Sequence, residues 1–344
     1  MDALMARGRP SRESVYQRLD TQIAELWQRL GGLPSPLEAQ DIWRGIWFEE
    51  AHHSTAIEGN SLVRREVEQL LREGRAVGAK QLKEYMEVKG YADAAGWVYR
   101  QGIQPGRWDP ERLITMQEVR EIHTAAMGPV WEVEPHPDAG PEEAPGQFRR
   151  HEIEPFPAGM TPPTWPLIDS EMNGWLQLTH QLQPRAPDFP EALALTHCRF
   201  EQIHPFIDGN GRAGRLVLNL LLVRLGYPPA IIYKHQRTPY LAALRRGDAG
   251  ECGALGEFLA RAILQNLHKF IVPAVAGPAR LVPLAALADK DVSANALRVA
   301  ATRGALSAVK GPDGQWRSSR KWVEDYKKAR YKRRLVAADG TVLS

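Results

Sequence analysis

The sequence is poor in cysteine and in long apolar stretches. Its two cysteines, Cys198 and Cys252, are far apart in the chain and do not have the spacing of metal ligands. This argues against a disulfide framework and against a zinc site. The longest apolar run is interrupted by Asn219 and Arg224, so it is too short to cross a bilayer. We therefore expect a soluble protein without a membrane span.

A secretory signal and a strong overall charge are also missing. Residues 1–10 contain no apolar core of the kind that directs secretion, and we expect a cytoplasmic location. The formal net charge is +3, but the chain from residue 280 onward carries fourteen Lys and Arg against six Asp and Glu. This basic end predicts an anionic partner, with DNA as one candidate.

Apolar content, by contrast, is ample for a sizeable core. Hydrophobic residues make up 43% of the 344 positions, and the length suggests two or three domains. Apolar spacing over residues 13–33 predicts an amphipathic helix that ends at Gly31-Gly32. The break at Ala276-Gly277-Pro278 sets off a small basic module with its tail (280–344).

The most informative stretch is residues 204–215, HPFIDGNGRAGR. Gly209 and Gly211 allow backbone conformations that bring N–H groups close to an anion, and Asn210 tolerates the same turn. Residues 216–223 are almost entirely apolar and predict a buried central helix. The stretch then lies at the N-terminus of that helix, where the backbone N–H groups and the helix dipole favour phosphate.

Four side chains define the chemistry of this stretch. Arg212 and Arg215 are three residues apart and can bind phosphate oxygens from one helix face. Asp208 is a suitable oxygen ligand for Mg²⁺. His204 is the candidate general base, because an ordinary pKa near ~6.5 suits proton abstraction from a hydroxyl. Alone, the histidine could be a core residue and the aspartate a helix cap, but together the four predict a nucleotide site.

Residues 204–215 resemble the signature of the Fic family, His-x-Phe-x-Asp/Glu-Gly-Asn-Gly-Arg-x-x-Arg, at every specified position. The resemblance extends over about residues 40–270. It implies a mainly α protein with an N-terminal helical region (1–110) and a catalytic core (111–275) that is a Fic-type helical bundle. It also implies transfer of AMP from ATP to a Ser, Thr or Tyr hydroxyl of a target protein. It implies that His204 deprotonates the hydroxyl and that Asp208 holds Mg²⁺. The nucleotide-binding residues implied are Gly209, Asn210, Gly211, Arg212 and Arg215.

A second match lies upstream, at residues 54–60 (STAIEGN). It resembles the family's inhibitory motif, whose glutamate pairs with the second signature arginine, here Arg215, and keeps the γ-phosphate out of a productive pose. A carboxylate and a phosphate compete for the same donors. The resemblance implies inhibitory roles for Ser54 and Glu58. Taken without it, this stretch could equally be an ordinary helix end that stops at Gly59-Asn60.

Other parts of the expected catalytic core carry weaker signals. Residues 146–154 alternate polar and apolar side chains, which predicts a short β-hairpin. Its position resembles the family's flap, which aligns a target segment by β-augmentation, although an exposed surface hairpin is the alternative. Tyr233 and Tyr240 are candidates for stacking on adenine, but either ring could belong to the core.

Two further stretches are open to more than one interpretation. The apolar positions at 62–71 suit either a homo-oligomer contact or the core of one chain. Lys83, Glu84 and Glu87 are expected to form a solvated helix face.

The basic module resembles a winged helix-turn-helix. We expect helices at 282–287 and from Ser293 onward, a hairpin that turns at Asp313-Gly314, and a final helix. A basic cap on the catalytic body is the alternative. The basic residues of 327–334 would contact phosphates or form a disordered end. If the module binds DNA, the expected groove-facing residues are Asn295, Arg298 and Arg303.

Two functions from different classes therefore remain open. One is an autoinhibited protein adenylyltransferase, and the other is a DNA-binding regulator whose nucleotide site senses a ligand. His204 favours catalysis, because phosphate binding alone needs only the loop and the arginines. Some members of the family instead remove AMP or transfer another phosphate-containing group, and Glu58 could orient a water molecule for removal.

Overall fold

The computed structural model describes residues 10–36, 39–103, 112–154, 160–276, 280–311 and 313–339. These residues form two compact units, both built mainly from helices. The first contains the chain up to Asp20 and Ser35–Leu264, and the second contains Thr21–Pro34 and the chain from Gln265 onward. The expectation of a mainly α protein is confirmed.

Within the described residues, ten helices make up most of the first unit, and two of them, α1 and α10, continue into the second. The helices are α1 (Arg12–Leu30), α2 (Gln40–Ile57), α3 (Arg64–Glu73), α4 (Leu82–Ile103), α5 (Met116–Val133), α6 (Ile168–His180), α7 (Phe189–Ile203), α8 (Asn210–Arg224), α9 (Arg237–Asp248) and α10 (Gly253–Asn266).

Helix α8 is the centre of the first unit. Every residue from Arg212 to Arg224 is buried, and the helix packs against α4, α5 and α7. The prediction of a buried central helix is therefore confirmed. Asn219, which interrupts the apolar run, is fully buried and accepts a hydrogen bond from the backbone N–H of Ala230 at 2.8 Å. A buried amide is tolerated where it has such partners.

The α4 and α5 pair approaches closely because of one glycine. A Cβ at Gly90 would lie 2.3 Å from the carbonyl oxygen of Ala126, which is too short for any side-chain carbon. Glycine at this position therefore lets the two helix backbones touch, and this contact holds the helices that flank α8.

The N-terminal helix α1 has the predicted extent. It ends at Leu30, and Gly31 and Gly32 follow with positive φ angles of 83° and 86°.

The apolar residues of 62–71 belong to the core of the chain. Leu62, Val67 and Leu70 are buried in a cluster with Tyr85 and Val88 of α4. The core interpretation of that stretch is the one that the structure supports.

The second unit has a small three-stranded antiparallel sheet in the order β1-β3-β2. Its elements beyond α10 are a π-helical turn at Leu267–Ile271, α11 (Val272–Val275), β1 (Val282–Pro283), α12 (Ala294–Thr302), β2 (Val309–Lys310), β3 (Trp316–Ser318) and α13 (Arg320–Asp339). The core cluster is Leu284, Val292, Leu297, Ala300, Ala301, Leu306 and Val323.

Most of the order predicted for the basic module is observed, with one correction. Ser293 caps α12, since its Oγ accepts a hydrogen bond from Ala296 N at 3.2 Å. The hairpin is present as β2 and β3. The helix expected at 282–287 is wrong: Val282 and Pro283 pair with β3, and only a 3₁₀ turn follows. Pairing with β3 commits Val282 and Pro283 to extended backbone, and the four residues Leu284–Leu287 that remain form only the short 3₁₀ turn.

The hairpin predicted at 146–154 is also wrong for the described residues. They form no strand. Their backbone groups instead bond to side chains and to a distant loop: Gly146 N donates to His123, Arg150 N to Glu143, and Arg149 N to the carbonyl of Pro205. The rest of the expected flap includes residues 155–159, which lie outside the described residues.

None of the described helices combines the length and the apolarity that a membrane crossing requires.

Candidate active site

The stretch 204–215 joins α7 to α8 in a tight loop. His204 closes α7 in the left-handed conformation with φ 49°, and Gly209 precedes α8 with φ 77°. Positive φ is uncommon for a residue with a side chain, so His204 is held by its surroundings. Asn210 braces the loop from within: its Oδ1 accepts from Phe206 N at 2.9 Å, and its Nδ2 donates to Phe206 O at 2.8 Å.

The expected base, His204, is neutral in this environment. Burial lowers its pKa to about 4, and the charge of Arg149 acts in the same direction, while Glu58 and Asp208 oppose it. Its Nδ1 lies 3.3 Å from the carbonyl oxygen of Glu201. A carbonyl can only accept, so Nδ1 carries the proton and Nε2 carries the lone pair. The imidazole is thus in the form that accepts a proton.

Asp208 and Arg212 form one side of the site. Arg212 Nη2 donates to both carboxylate oxygens of Asp208 at 3.2 Å, and Nη1 lies 3.4 Å from Glu87 Oε1. Burial would raise the pKa of Asp208, but Arg212 and the N–H of Gly209 outweigh it, so the pKa is lowered and the carboxylate is ionised. The side chain of Asp208 is 42% exposed and that of Arg212 only 5%. A carboxylate therefore faces the solvent, with its arginine behind it.

Arg215 forms the other side, and α2 supplies its partners. Its Nε donates to Ser54 Oγ at 2.6 Å, and its Nη2 donates to Glu58 Oε1 at 2.7 Å and to Ser54 O at 3.1 Å. Burial would raise the pKa of Glu58, but the charge of Arg215 outweighs it and the pKa is lowered. Ser54, Glu58 and Arg215, which the sequence predicted to act together, are in direct contact.

The Glu58 carboxylate also lies against the glycine loop. A Cβ at Gly211 would be 2.6 Å from Glu58 Oε1, so only glycine permits this approach. One carboxylate therefore lies both at the first turn of α8 and beside the Arg215 guanidinium. The backbone N–H groups of that turn and the Arg215 guanidinium both attract anions, so Glu58 occupies the position that a phosphate would favour.

The C-terminal end of α2 is fixed by three other elements. Arg237 of α9 donates through Nε to Ile57 O at 2.8 Å. Asn60 donates to Glu84 O and to Glu87 Oε2, both at 2.8 Å. Deeper in the unit, Glu50 of α2 accepts from the Asn219 amide of α8 at 2.6 Å. Helix α2 is therefore connected to α4, α8 and α9.

Two side chains connect the loop 204–208 to residues 146–163. His123 Nδ1 accepts from Gly146 N at 2.8 Å, which leaves the proton on Nε2, and this atom donates to Asp208 O at 2.8 Å. The His123 ring also stacks on Phe206, with centroids 3.7 Å apart. Arg149 donates through Nε to His204 O at 2.9 Å. The backbone of both the base and the carboxylate is thereby supported.

The two tyrosines proposed for adenine lie in different surroundings. The Tyr240 ring is 1% exposed, and its hydroxyl lies 2.7 Å from His197 Nε2, so Tyr240 has the alternative role in the core. Tyr233 is 7% exposed and contacts the ring of His53, with centroids 4.6 Å apart. Adenine stacking stays a prediction for Tyr233.

Sequence reasoning missed several polar residues of the site. Glu87 was expected on a solvated helix face, which is wrong, because it contacts Arg212 and Asn60 and is 15% exposed. His123 and Arg149 were given no role. A polar residue within an apolar helical stretch was the only signal available for Glu50 and His123, and such a signal names no partner.

The donor set at Asp208 fits Mg²⁺. Magnesium is commonly held by one or two carboxylates together with phosphate oxygens and water. Asp208 offers an ionised, partly exposed carboxylate at the loop that precedes α8. The residues present therefore suit a metal ion that is bound together with a nucleotide.

In the second unit, the predicted DNA-facing residues are exposed on one helix. Asn295 and Arg298 lie on α12 and are joined by a hydrogen bond of 2.8 Å, and Arg303 caps its C-terminus. Lys327, one of the basic residues expected to contact phosphates or to form a disordered end, forms ion pairs with Asp289 and Asp291.

Comparison with known proteins identifies the central part of the chain. Residues 113–222 match the model of the Fic/DOC family. The protein adenylyltransferase Fic of Drosophila virilis is 29% identical over 278 residues, which cover 78% of this chain and 53% of the relative. The chain thus spans about half the length of this curated relative.

Solved structures show the same fold. Fic-1 of C. elegans (residues 134–508) aligns with a TM-score of 0.58 at 23% identity, covering 74% of this chain and 71% of the other. A Fic domain-containing signaling protein from Bacteroides thetaiotaomicron aligns with a TM-score of 0.55 at 23% identity, covering 72% and 96%.

Proposed function

We propose that this chain, whose residues 113–222 form a Fic/DOC domain, is a protein adenylyltransferase that transfers AMP from ATP to a Ser, Thr or Tyr hydroxyl of a target protein. The observation that carries the proposal is the convergence of a neutral histidine, an ionised carboxylate and two arginines around the N-terminal end of α8. The named adenylyltransferase relative supports the reaction type.

In this reaction the hydroxyl oxygen of the target attacks the α-phosphorus of ATP. The bond from that phosphorus to the bridging oxygen of the β-phosphate breaks, and pyrophosphate leaves. His204 Nε2 takes the hydroxyl proton, which its neutral state allows. The backbone at Gly209 and Gly211 and the guanidiniums of Arg212 and Arg215 bind the phosphate oxygens. Positioning and charge stabilisation supply most of the catalysis in phosphoryl transfer.

Asp208 would hold Mg²⁺ with the phosphate oxygens of ATP. When bound, the metal ion would neutralise phosphate charge. Arg212 Nη2 donates to both oxygens of Asp208, so this carboxylate would be shared between the guanidinium and the metal ion.

We further propose that the enzyme is autoinhibited by Glu58. This carboxylate binds Arg215 and lies against Gly211, where phosphate oxygens of ATP would bind. The side chain of Glu58 is 39% exposed, so it can leave without opening the core. Transfer of AMP then requires Glu58 to give up Arg215 to the nucleotide.

The test uses α-labelled ATP, Mg²⁺ and cell extract with three proteins: the wild type, Glu58→Gly, and Glu58→Gly with His204→Ala. Labelled protein bands that appear with Glu58→Gly and vanish with the double variant would support AMP transfer under autoinhibition. No label with any of the three would count against transfer and favour AMP removal or another nucleotide as substrate.

A second function, DNA binding by the second unit, is favoured by the exposed polar face of α12 beside a β2-β3 hairpin. Arg298 and Asn295 lie on this face. Winged helix-turn-helix modules place such a helix in the major groove. We expect Arg298→Ala to weaken binding of the full chain to duplex DNA at low salt, measured by fluorescence anisotropy. Arg245→Ala, which removes the same charge from an exposed position of α9, is the control, and equal effects would count against this function.

A further inference from the structure

We propose that Arg149 is a positioning residue for the transfer reaction: its guanidinium joins the backbone of His204 to both stems of the segment between His151 and Pro163. This inference rests on the proposed function, because it assigns Arg149 to the same site. It names a side chain that touches neither ATP nor the target hydroxyl.

The geometry of the guanidinium carries the proposal. Arg149 Nε donates to His204 O at 2.9 Å, Nη1 to His151 O at 2.8 Å, and Nη2 to Pro163 O at 2.6 Å. All three acceptors are main-chain carbonyls from three separate parts of the chain. The residue is 1% exposed, and its own backbone N–H donates to Pro205 O at 2.9 Å.

A buried guanidinium is costly unless hydrogen bonds compensate its desolvation, as the three carbonyls do here. Burial lowers the pKa of the Arg149 guanidinium below its ordinary value. A planar fork with donors in fixed directions can serve three carbonyls at once, whereas a lysine ammonium lacks the planar fork that fits these three directions. The shape of the side chain, and not only its charge, is therefore used.

The connection to His204 acts on the backbone at a strained position. His204 has φ 49° and is the last residue before the loop. Its carbonyl, bonded to Arg149, and that of Pro205, bonded to the backbone N–H of the same residue, hold the chain in this conformation. The direction in which the imidazole points depends on this backbone conformation. Arg149 thus contributes to the placement of Nε2.

The same side chain adds a positive charge near the imidazole. Burial and Arg149 lower the pKa of His204, while the carbonyl of Glu201 and the carboxylates of Glu58 and Asp208 raise it. Removal of the Arg149 charge should raise the pKa of His204. Loss of a side chain that only stabilises the fold would leave the pKa of His204 unchanged. A change in this pKa therefore distinguishes a positioning role from a purely structural one.

The experiment compares three variants in the Glu58→Gly background: Arg149→Met, Arg149→Lys and Arg150→Met. Arg150 is the matched control, since it is the next residue, is exposed and pairs with exposed Glu142. Circular dichroism checks that each variant folds. The readouts are kcat and KM for ATP, and the pKa of His204 from an NMR titration.

We expect kcat to fall about 100-fold in both Arg149 variants with little change in KM for ATP, because small misplacement of a reacting group has effects of this size. The pKa of His204 should rise in Arg149→Met and stay near the parent value in Arg149→Lys, which keeps the charge. Arg150→Met should match the parent in both readouts.

Two results would overturn the proposal. One is a kcat for Arg149→Lys and Arg149→Met equal to that of Arg150→Met. The other is an unchanged His204 pKa in a folded Arg149→Met protein. If the Glu58→Gly parent transfers no AMP at all, the proposed function fails, but the NMR titration still tests Arg149 on its own.

Discussion

Arg215 Nη2 donates to Glu58 Oε1 at 2.7 Å, although the two residues are 157 positions apart in the chain. The pair joins the last turn of α2 to the first turns of α8. Arg215 is a buried cation of the proposed phosphate site, and Glu58 is the carboxylate that occupies it. The occupation of a cationic site by a carboxylate of the same chain is the structural basis of the proposed inhibition.

Replacing Glu58 should accelerate AMP transfer. We expect Glu58→Gly to raise the rate about 10- to 100-fold, which corresponds to a hydrogen bond to a charged group of about 1.5–3 kcal/mol. Glu58→Gln keeps the shape but not the charge and should give an intermediate rate. The measurement is the initial rate of label transfer at fixed ATP. Glu68→Gln is the control, since that carboxylate pairs with Arg64 on α3, and a rate increase equal to that of Glu58→Gly would contradict the assignment.

Replacing Glu87 should weaken the binding of the divalent cation. Glu87 and Asp208 share the Arg212 guanidinium, so Glu87→Gln leaves Asp208 as its carboxylate partner and strengthens competition with the metal. We expect about a two- to fivefold rise in the dissociation constant, as for an ion pair of about 0.5–1 kcal/mol. The readout is Mn²⁺ binding by electron paramagnetic resonance in the Glu58→Gly background with an ATP analogue.

The control for that measurement lies one turn away on α4. Glu84 contacts Ser61 in the segment after α2. Glu84→Gln should leave Mn²⁺ binding unchanged. If Glu87→Gln binds Mn²⁺ as tightly as Glu84→Gln does, Glu87 has no influence on Asp208.

His204 should stay neutral well below neutral pH. Its pKa is lowered to about 4 in the folded protein, first by burial. A lowered pKa means that protonation needs more acid, so the base form persists as the pH falls from 7 to 5 and is lost only near pH 4. An NMR titration of the wild type, with His204→Ala to assign the signal, checks this. A midpoint near the ordinary value of ~6.5 would contradict it.

Two glycines of α4 should respond in opposite ways to alanine. Gly90→Ala drives a methyl group into Ala126 O, and we expect a loss of about 1–3 kcal/mol in the free energy of unfolding. At Gly96 a Cβ would meet the Arg100 Nη1 tip at 3.4 Å and Trp47 at 3.9 Å. Gly96→Ala should therefore gain about 0.5–1 kcal/mol from helix propensity. Urea unfolding measures both, and equal effects would contradict the close contact between α4 and α5.

The local pattern predicted some elements well. The apolar run 216–223 predicted buried α8, and Ser293 predicted the start of α12. Both signals are local, because the spacing of apolar side chains and the capping of backbone N–H groups act within a few residues. The alternation at 146–154 was misleading for the same reason. It records which side chains are apolar and does not record that Arg149 and Gly146 bond to a different part of the chain.

The proposed catalytic and inhibitory residues could be named from sequence because they fall in two compact motifs. Glu87, His123 and Arg149 could not, since their roles depend on contacts with residues 55 to 125 positions away. Long-range contacts depend on how the helices pack, and this packing cannot be predicted from the local patterns of one sequence. The surroundings of Cys198 and Cys252 also could not be predicted from the sequence. Both sulfurs approach Gly247, where a Cβ would lie 2.8 Å from the sulfur of Cys198 and 4.0 Å from that of Cys252.

By itself, the sequence determined that a glycine loop with a histidine, an aspartate and two arginines precedes a buried helix. That followed from local conformation and side-chain chemistry. Only the tertiary structure decided the state of these groups. Packing of α2 against α8 brings Glu58 to Arg215, burial keeps His204 neutral, and Arg149 connects it to the stems at His151 and Pro163. Charge pairing and desolvation depend on which groups meet in space, and folding alone brings them together.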